Sequence, residues 1–209
     1  MKQKLWQFLL LVTTTSMLTS CISFSTLQSA DTLDAGQMSL SAGASVLGAD
    51  EDNAGLLPEV GLRLGVNDRV DVGAKLFMPL ALFVDAKVEL IQKPVIVSLD
   101  VGYSTFTLTS GAGETKHRTV GLYPMLIAGQ KHWYVGVKPM FVRSEGEIDL
   151  LGSTSSQDVT ALLATDVVFG AVIGNRFRFI PEVNILFPAS DDPPIMIPGL
   201  GFELKLGPK

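Results

Sequence analysis

From Met38 onward, apolar residues occupy every second position of the chain. Met38, Leu40, Ala42, Ala44 and Val46 alternate with Ser39, Ser41, Gly43 and Ser45. The same alternation recurs from Val60 to Val66, Val70 to Met78, Leu82 to Leu90, Val95 to Tyr103, Val120 to Ala128, Trp133 to Phe141, Leu163 to Ile173, Phe177 to Phe187 and Pro198 to Leu206. A period of two is that of a strand with one apolar face. None of the ten apolar faces carries a charge. The opposite faces carry the acids Glu59, Asp71, Asp85, Glu89, Asp100, Asp166, Glu182 and Glu203 and the bases Arg63, Lys75, Lys87, Lys138, Arg178 and Lys205, with Phe77, Phe83, Tyr123, Met125 and Met140 among them.

The joints between segments say how the sheet is closed. Asn67-Asp68-Arg69, Ile91-Gln92-Lys93-Pro94, Gly129-Gln130-Lys131 and Gly174-Asn175-Arg176 are tight turns. Between them lie longer polar joints, Leu47 to Leu57, Thr105 to Arg118, Arg143 to Asp158 and Pro188 to Pro194; only Pro79-Leu80-Ala81 is short. Long and short joints alternate when every second loop faces the same side of a membrane. The pattern predicts an all-β, antiparallel up-and-down transmembrane barrel of about ten strands, with short periplasmic turns, longer outer loops and both domain ends on the periplasmic side. Pro124, Pro139 and Pro181 fall mid-strand, where each removes a ladder donor, so bulges are expected there.

Over residues 37–207 the chain resembles small bacterial outer-membrane β-barrels. In that family the last strand carries an assembly signal, a Gly followed by aromatic or apolar residues at alternate positions, which Gly199, Phe202, Leu204 and Leu206 match. The tail Gly207-Pro208-Lys209 departs from the usual aromatic end. The resemblance implies a barrel-assembly machinery and outer-membrane lipid as partners.

Composition narrows the class further. Of 209 residues, 47% are apolar and 18% charged, which excludes a disordered chain. Mean hydropathy is +0.36. The 20 Gly and 11 Pro show no Gly-X-Y period. With 16 basic residues against 21 acidic ones, the net charge of -5 gives nucleic-acid binding no electrostatic basis. A single cysteine, Cys21, excludes an internal disulfide and a cysteine metal cluster.

That cysteine closes a recognisable leader. Lys2 and Lys4 precede the apolar run from Leu5 to Val12, and small polar residues follow, so residues 1–20 read as a secretory signal peptide. The run is short for a membrane-spanning anchor helix, the alternative. Leu18-Thr19-Ser20-Cys21 resembles the lipobox of bacterial lipoproteins, in which the cysteine is diacylglycerated, the chain is cut before it and the new N-terminus acylated. The other reading of Cys21 is a free thiol beside an ordinary cleavage site. Cleavage leaves 14 bases against 21 acids, a charge of -7. Ile22, where retained lipoproteins carry Asp, implies delivery to the outer membrane of a Gram-negative bacterium by the lipoprotein-sorting machinery. Residues 21–36, rich in Ser, Thr and Asp, read as an acylated tether.

Candidate chemistry is sparse. His117 and His132 fall at opposite ends of the expected barrel. Asp50, Glu51, Asp52, Glu145, Glu147, Asp149, Asp191 and Asp192 are rim acids in no catalytic spacing, as in a hydrated loop, and no G-x-S-x-G, H-E-x-x-H or P-loop is present. The sequence therefore assigns no catalytic residue, metal set or cofactor. The lumen charges either line a narrow solute path or pair across strands and fill the interior; balanced signs in a barrel of this size favour filling. The expected function is a non-enzymatic outer-membrane lipoprotein with a structural, surface-contact or limited-permeability role. Its rivals are a soluble, periplasm-facing lipocalin-like lipid carrier, which turns the same apolar faces inward, and a hydrolase sited at the rim.

Overall fold

The structure is a computed structural model that describes residues 25–47, 55–77, 81–110, 115–150 and 153–207; of these, the side chains of 47, 106–110, 115–117, 144–150 and 153–162 are not described. Eleven strands follow in chain order: β1 (Met38–Leu47), β2 (Gly55–Asn67), β3 (Val70–Phe77), β4 (Ala81–Ile91), β5 (Ile96–Ser110), β6 (Thr115–Gln130), β7 (Trp133–Leu150), β8 (Ser153–Ala171), β9 (Ile173–Gly174), β10 (Phe177–Pro188) and β11 (Ile195–Leu206). β9 continues β8 past Val172, and both pair with β10, so the eleven strands make ten staves. Every stave pairs antiparallel with its sequence neighbour, and β11 returns to pair with β1, from Met38 opposite Leu206 to Ser45 opposite Gly199. The sheet closes on itself, which leaves no edge strand to aggregate.

The side-chain period determines which face is which. Along β4 burial alternates at every residue from Ala81 to Glu89, with Leu82, Val84, Ala86 and Val88 outside and Phe83, Asp85, Lys87 and Glu89 inside. Elsewhere Val60, Leu126 and Phe169 are 50–56% exposed, whereas Asp71 is 0% and Lys87 1% exposed. The barrel is thus apolar outside and charged within, the reverse of what a soluble lipid carrier requires.

Three expectations need correction. The joints Thr105 to Arg118 and Arg143 to Asp158 are largely strand, since β5 and β6 pair out to Ser110 and Thr115, and β7 and β8 out to Leu150 and Ser153. They read as joints because they are rich in Ser, Thr, Gly and charged residues, and no sustained period-two run of apolar residues marks them. At the prolines, only Pro139 has a register shift beside it, between Met140 and Phe141. By the register of β6 and β7, Pro124 lies opposite Pro139, and the ladder simply skips residues 123–125 and 138–140 without slipping. Facing each other, the two prolines remove their two N–H donors at one level of the ladder instead of breaking it at two. Pro181 likewise interrupts the pairing of β10 with the β8–β9 stave but shifts nothing.

The third correction concerns the residues read as a tether. Ser25 to Ser29 and Ala30 are buried, and so is Leu33. Going back along the chain from β1, Gln37 N–H donates to the Asp34 carbonyl at 2.9 Å, closing a turn with Gly36 at φ 75°, and Gly36 N–H donates to the Gly65 carbonyl at 2.9 Å. Positive φ at the third position of such a turn is where glycine is required. The turn reverses the chain at the tight-turn end of the barrel and sends residues 25–34 into the lumen.

Candidate functional site

The site is the lumen with this segment inside it. All six lumen bases have acid partners. Arg63 bridges Asp71 and Asp85 through its two terminal nitrogens. Lys87 lies 3.5 Å from Asp71, Lys75 lies 3.5 Å from Glu59, and Lys138 lies 3.0 Å from Asp166. Arg178 lies 3.4 Å from Glu203, and both Arg178 and Lys205 reach Asp31 of the inserted segment, at 3.0 and 3.4 Å.

With more acids than bases in the lumen, some carboxylates are left over. Among the described residues Glu89, Asp100 and Glu182 have no basic partner within bridging distance, and all three accept hydrogen bonds from the N-terminal segment. Glu182 accepts consecutive backbone N–H groups, from Thr26 at 2.7 Å and Leu27 at 2.8 Å, together with the Tyr134 hydroxyl at 2.5 Å and the Asn184 amide at 2.8 Å. Four donors on one carboxylate satisfy a buried anion in place of a cation. Asp100 accepts from the Gln28 side chain, and Glu89 from Thr32 N–H at 3.4 Å. Glu59, already beside Lys75, accepts from the Ser25 hydroxyl.

The bases read the carbonyls of the same segment. Lys75 donates to Thr26 O at 2.5 Å, Lys87 to Ser29 O at 3.0 Å and Asp31 O at 2.8 Å, and the Ser98 hydroxyl to Ala30 O at 2.6 Å. Asp71, besides its two bases, accepts Leu33 N–H at 3.0 Å. Barrel side chains thus pair the N–H groups of Thr26, Leu27, Thr32 and Leu33 and the carbonyls of Thr26, Ser29, Ala30 and Asp31, in the way buried main-chain groups are satisfied.

Shape completes the fit. Leu27 has φ 44°, a left-handed conformation costing about 1–2 kcal/mol for a residue with Cβ. Its side chain lies where a Cβ at Gly43 or Gly201 would be, within 2.3 and 3.0 Å of those positions. A Cβ at Gly65 would stand 2.1 Å from the Asp34 carbonyl oxygen. These glycines therefore make room for the segment. Leu27 and Ala30 also belong to an apolar cluster with Met125, Ile127, Tyr134, Val168 and Ile180, which walls one side of the lower lumen. Beside Leu27 and Gln28 there is a cavity of only about 20 Å³, room for about one water.

Asp31 is the ionisable group of the segment most bound up with this fit. Burial alone raises its pKa, but Lys205 and Arg178 outweigh burial and hold the carboxyl well below the ordinary carboxylate range.

Toward the long-hairpin end the lumen changes character. A second cluster of Phe77, Ala81, Phe83, Tyr123, Met140, Ala164, Leu186 and Ile197 surrounds it, with Leu57 against it. Where a strand carries an inward charge, these residues lie on its hairpin side, Phe77 beyond Lys75 and Leu186 beyond Glu182. Tyr123 and Ser104 share a hydrogen bond of 2.9 Å at this level.

The other candidates are placed as follows. Cys21 and the acids Asp50, Glu51 and Asp52 lie outside the described residues, as do the side chains of His117, Glu145, Glu147 and Asp149. His132 sits in the β6–β7 turn, with Nδ1 3.4 Å from Val172 O, while His117 lies on the hairpin side of β6. Asp191 and Asp192 are in the exposed β10–β11 loop, where Ser190 donates to Asp192 at 2.6 Å. On β11, Phe202 and Leu204 point outward, Phe202 packs against Phe177 and Phe179 with ring centroids 6.0 and 5.3 Å away, Gly199 lies opposite Ser45, and Leu206 lies opposite Met38.

Sequence reasoning missed Thr26, Leu27, Gln28, Ser29, Asp31, Leu33, Tyr134 and Asn184. Two signals for them were present: the excess of acids over bases on the inward face, and the inward glycines Gly43, Gly65 and Gly201, whose space the segment occupies.

No protein-family model matches the chain, and no curated relative does. Solved structures similar to it include the N-terminal β-barrel domain of Pseudomonas aeruginosa OprF, at 11% identity over 83% of this chain and 100% of that one, with a TM-score of 0.34. The attachment invasion locus protein Ail of Yersinia pestis is 13% identical over 82% and 99%, at 0.35. The outer membrane protease OmpT of Escherichia coli is 11% identical over 81% and 92%, at 0.38. Likeness at this level carries nothing about activity; that the chain is a small closed antiparallel barrel rests on its own strand pairing.

Proposed function

We propose that the protein is an outer-membrane barrel lipoprotein, acylated at Cys21, that is closed to solutes and carries the β5–β6 and β7–β8 hairpins on the outer face without catalysing a reaction. The observation that carries this reading is the division of faces: an outward apolar belt suited to lipid, around an interior filled by ion pairs and by the chain's own N-terminal segment. A soluble carrier needs an empty apolar interior and a channel a continuous wet path; the paired charges and residues 25–33 inside the lumen support neither reading. Lipobox and last-strand patterns support dependence on lipoprotein-sorting and barrel-assembly machineries.

The test combines gel mobility with side-specific probes. Membrane-extracted protein should migrate differently before and after boiling, as detergent-resistant barrels do. Spin labels at Val72, Val84 and Leu99 should be relaxed by oxygen and shielded from a polar relaxing agent, and Cys21→Ala should abolish palmitate incorporation. Labels reached by the polar agent would overturn the membrane reading, and unchanged palmitate incorporation would overturn the anchor.

A further inference from the structure

Each of the four tight turns carries one base: Arg69 between β2 and β3, Lys93 between β4 and β5, Lys131 between β6 and β7, and Arg176 between β9 and β10. All four are exposed, and among the described residues none has an acidic partner; Arg176 donates through Nε to the Lys205 carbonyl at 3.3 Å. The six lumen bases, by contrast, are all paired with acids. Among the described residues the exposed acids of this end are Asp34 and Asp68, and they lie together where residues 34–36 cross Gly65, with Asp68 accepting Ala35 N–H at 3.3 Å. The other three turns hold no acid. At the opposite end the sign reverses, since the β10–β11 loop carries Asp191 and Asp192, both exposed, and no base.

The turn bases stand just beyond the border of the outward apolar belt. Arg176 directly precedes Phe177, Lys131 lies two residues before Trp133, Lys93 two after Ile91 and Arg69 three after Val66, and all four of these apolar side chains are exposed. A cation one to three residues outside the edge of the hydrocarbon can lay its stem on apolar surface and reach a headgroup phosphate, and aromatic residues favour the same level. Successive turns are two staves apart, which at about 4.8 Å per strand is roughly 10 Å along the rim. That is too far for two of these bases to close on one anion. The arrangement fits separate phosphates lying in a plane, not a single ligand in a pocket. We infer that the tight-turn rim docks on the anionic headgroups of the leaflet beside it, one phosphate to each turn base. The inference rests on the membrane reading above and deepens it by naming the lipid that this rim selects. A chain of net charge -5 is repelled as a whole by an anionic leaflet; unpaired bases at the turns, with Asp191 and Asp192 at the other end, give it a polarity across the bilayer.

Trp133 supplies a reporter beside Lys131. The chain has two tryptophans, so Trp6→Phe in the full-length protein leaves Trp133 alone. This chain is reconstituted in vesicles of equal parts phosphatidylcholine and phosphatidylglycerol, and quenching of Trp133 is compared when one or the other lipid carries brominated acyl chains. Docking predicts a preference for phosphatidylglycerol at Trp133 of about two- to fivefold, the upper figure being what one base near an anionic surface supplies, and a fall toward parity in high salt. Lys131→Gln should abolish the preference. Arg69→Gln makes the same change of net charge four staves away and should leave it unaltered. If Lys131→Gln does not fold, as judged by gel mobility before and after boiling, the pair Trp133→Phe, Phe177→Trp moves the reporter beside Arg176, and Arg176→Gln is read instead. Equal quenching by the two lipids, a preference that survives loss of the neighbouring base or high salt, or an equal loss on Arg69→Gln overturns the docking and leaves the membrane reading standing. Absence of quenching by either lipid overturns the membrane reading and the inference together.

Discussion

Glu182 shows how a single residue in the lumen can be specified by a ligand that is part of the same chain. A lone buried carboxylate is costly, and a lysine is the usual remedy; here two adjacent amides, a phenol and a side-chain amide take its place. Hydrogen bonds to a charged acceptor contribute about 1.5–3 kcal/mol each, enough to outweigh the left-handed backbone of Leu27. Asp31 plays the converse part, bringing an acid to Arg178 and Lys205. Because its folded pKa is depressed, its contribution is complete above its unfolded value of about 4 and is lost as pH falls below that, through the folded value. Amide exchange in the segment, measured against barrel amides, should therefore show no Asp31-dependent change between pH 8 and 5 and a loosening below about pH 4. Asp31→Asn should loosen the segment at neutral pH and remove that acid-dependent step. A wild-type step near pH 6 would contradict the assignment.

At the scale of the element, each strand separates two solvents. Val84 on β4 faces outward between Phe83 and Asp85, which face the lumen. Val84→Arg should cost about 2–4 kcal/mol near the bilayer midplane, measured by reversible denaturant unfolding in lipid vesicles. An inward substitution works differently: Gly73→Arg would meet Arg63 and Asp85, whose side-chain atoms lie 2.8 and 2.5 Å from a Cβ built there, so its effect comes through crowding and charge. A cost at Val84 well below 1 kcal/mol would mean that the residue does not face hydrocarbon. The hairpins of β5–β8 illustrate the limit of the same rule, for beyond the apolar layer strand pairing continues while hydropathy no longer alternates.

For the whole molecule, the closure proposed above has two layers: a charged lower lumen occupied by residues 25–33 and an apolar cluster above it. Full-length protein in planar bilayers is expected to give little or no steady conductance, with any activity small and sensitive to salt, since the paths left between paired charges are narrow. Reproducible large openings altered by Arg63→Ala or Lys138→Ala would show that the interior conducts. The ten staves are each paired on both sides, so losing one lumen ion pair should affect permeability and segment docking before it affects the barrel itself.

The amino-acid sequence determined the staves, their order, the outward face and the inward charges, because period-two hydropathy and tight turns are local and survive without knowledge of the partner strand. Tight turns at Asp68, Gln92, Lys131 and Asn175 fix antiparallel neighbours, and the apolar faces fix which way each strand points. The tertiary structure alone decided what fills the interior. Residues 25–34 have no period and too few apolar groups to predict burial, and their main-chain donors and acceptors find partners only where Glu182, Asp71, Lys75, Lys87 and Ser98, far apart in sequence, converge on one axis. The excess of acids was legible from the start; that it answers to backbone N–H groups is a property of the closed barrel, in which charges from different strands face a chain that none of them adjoins in sequence.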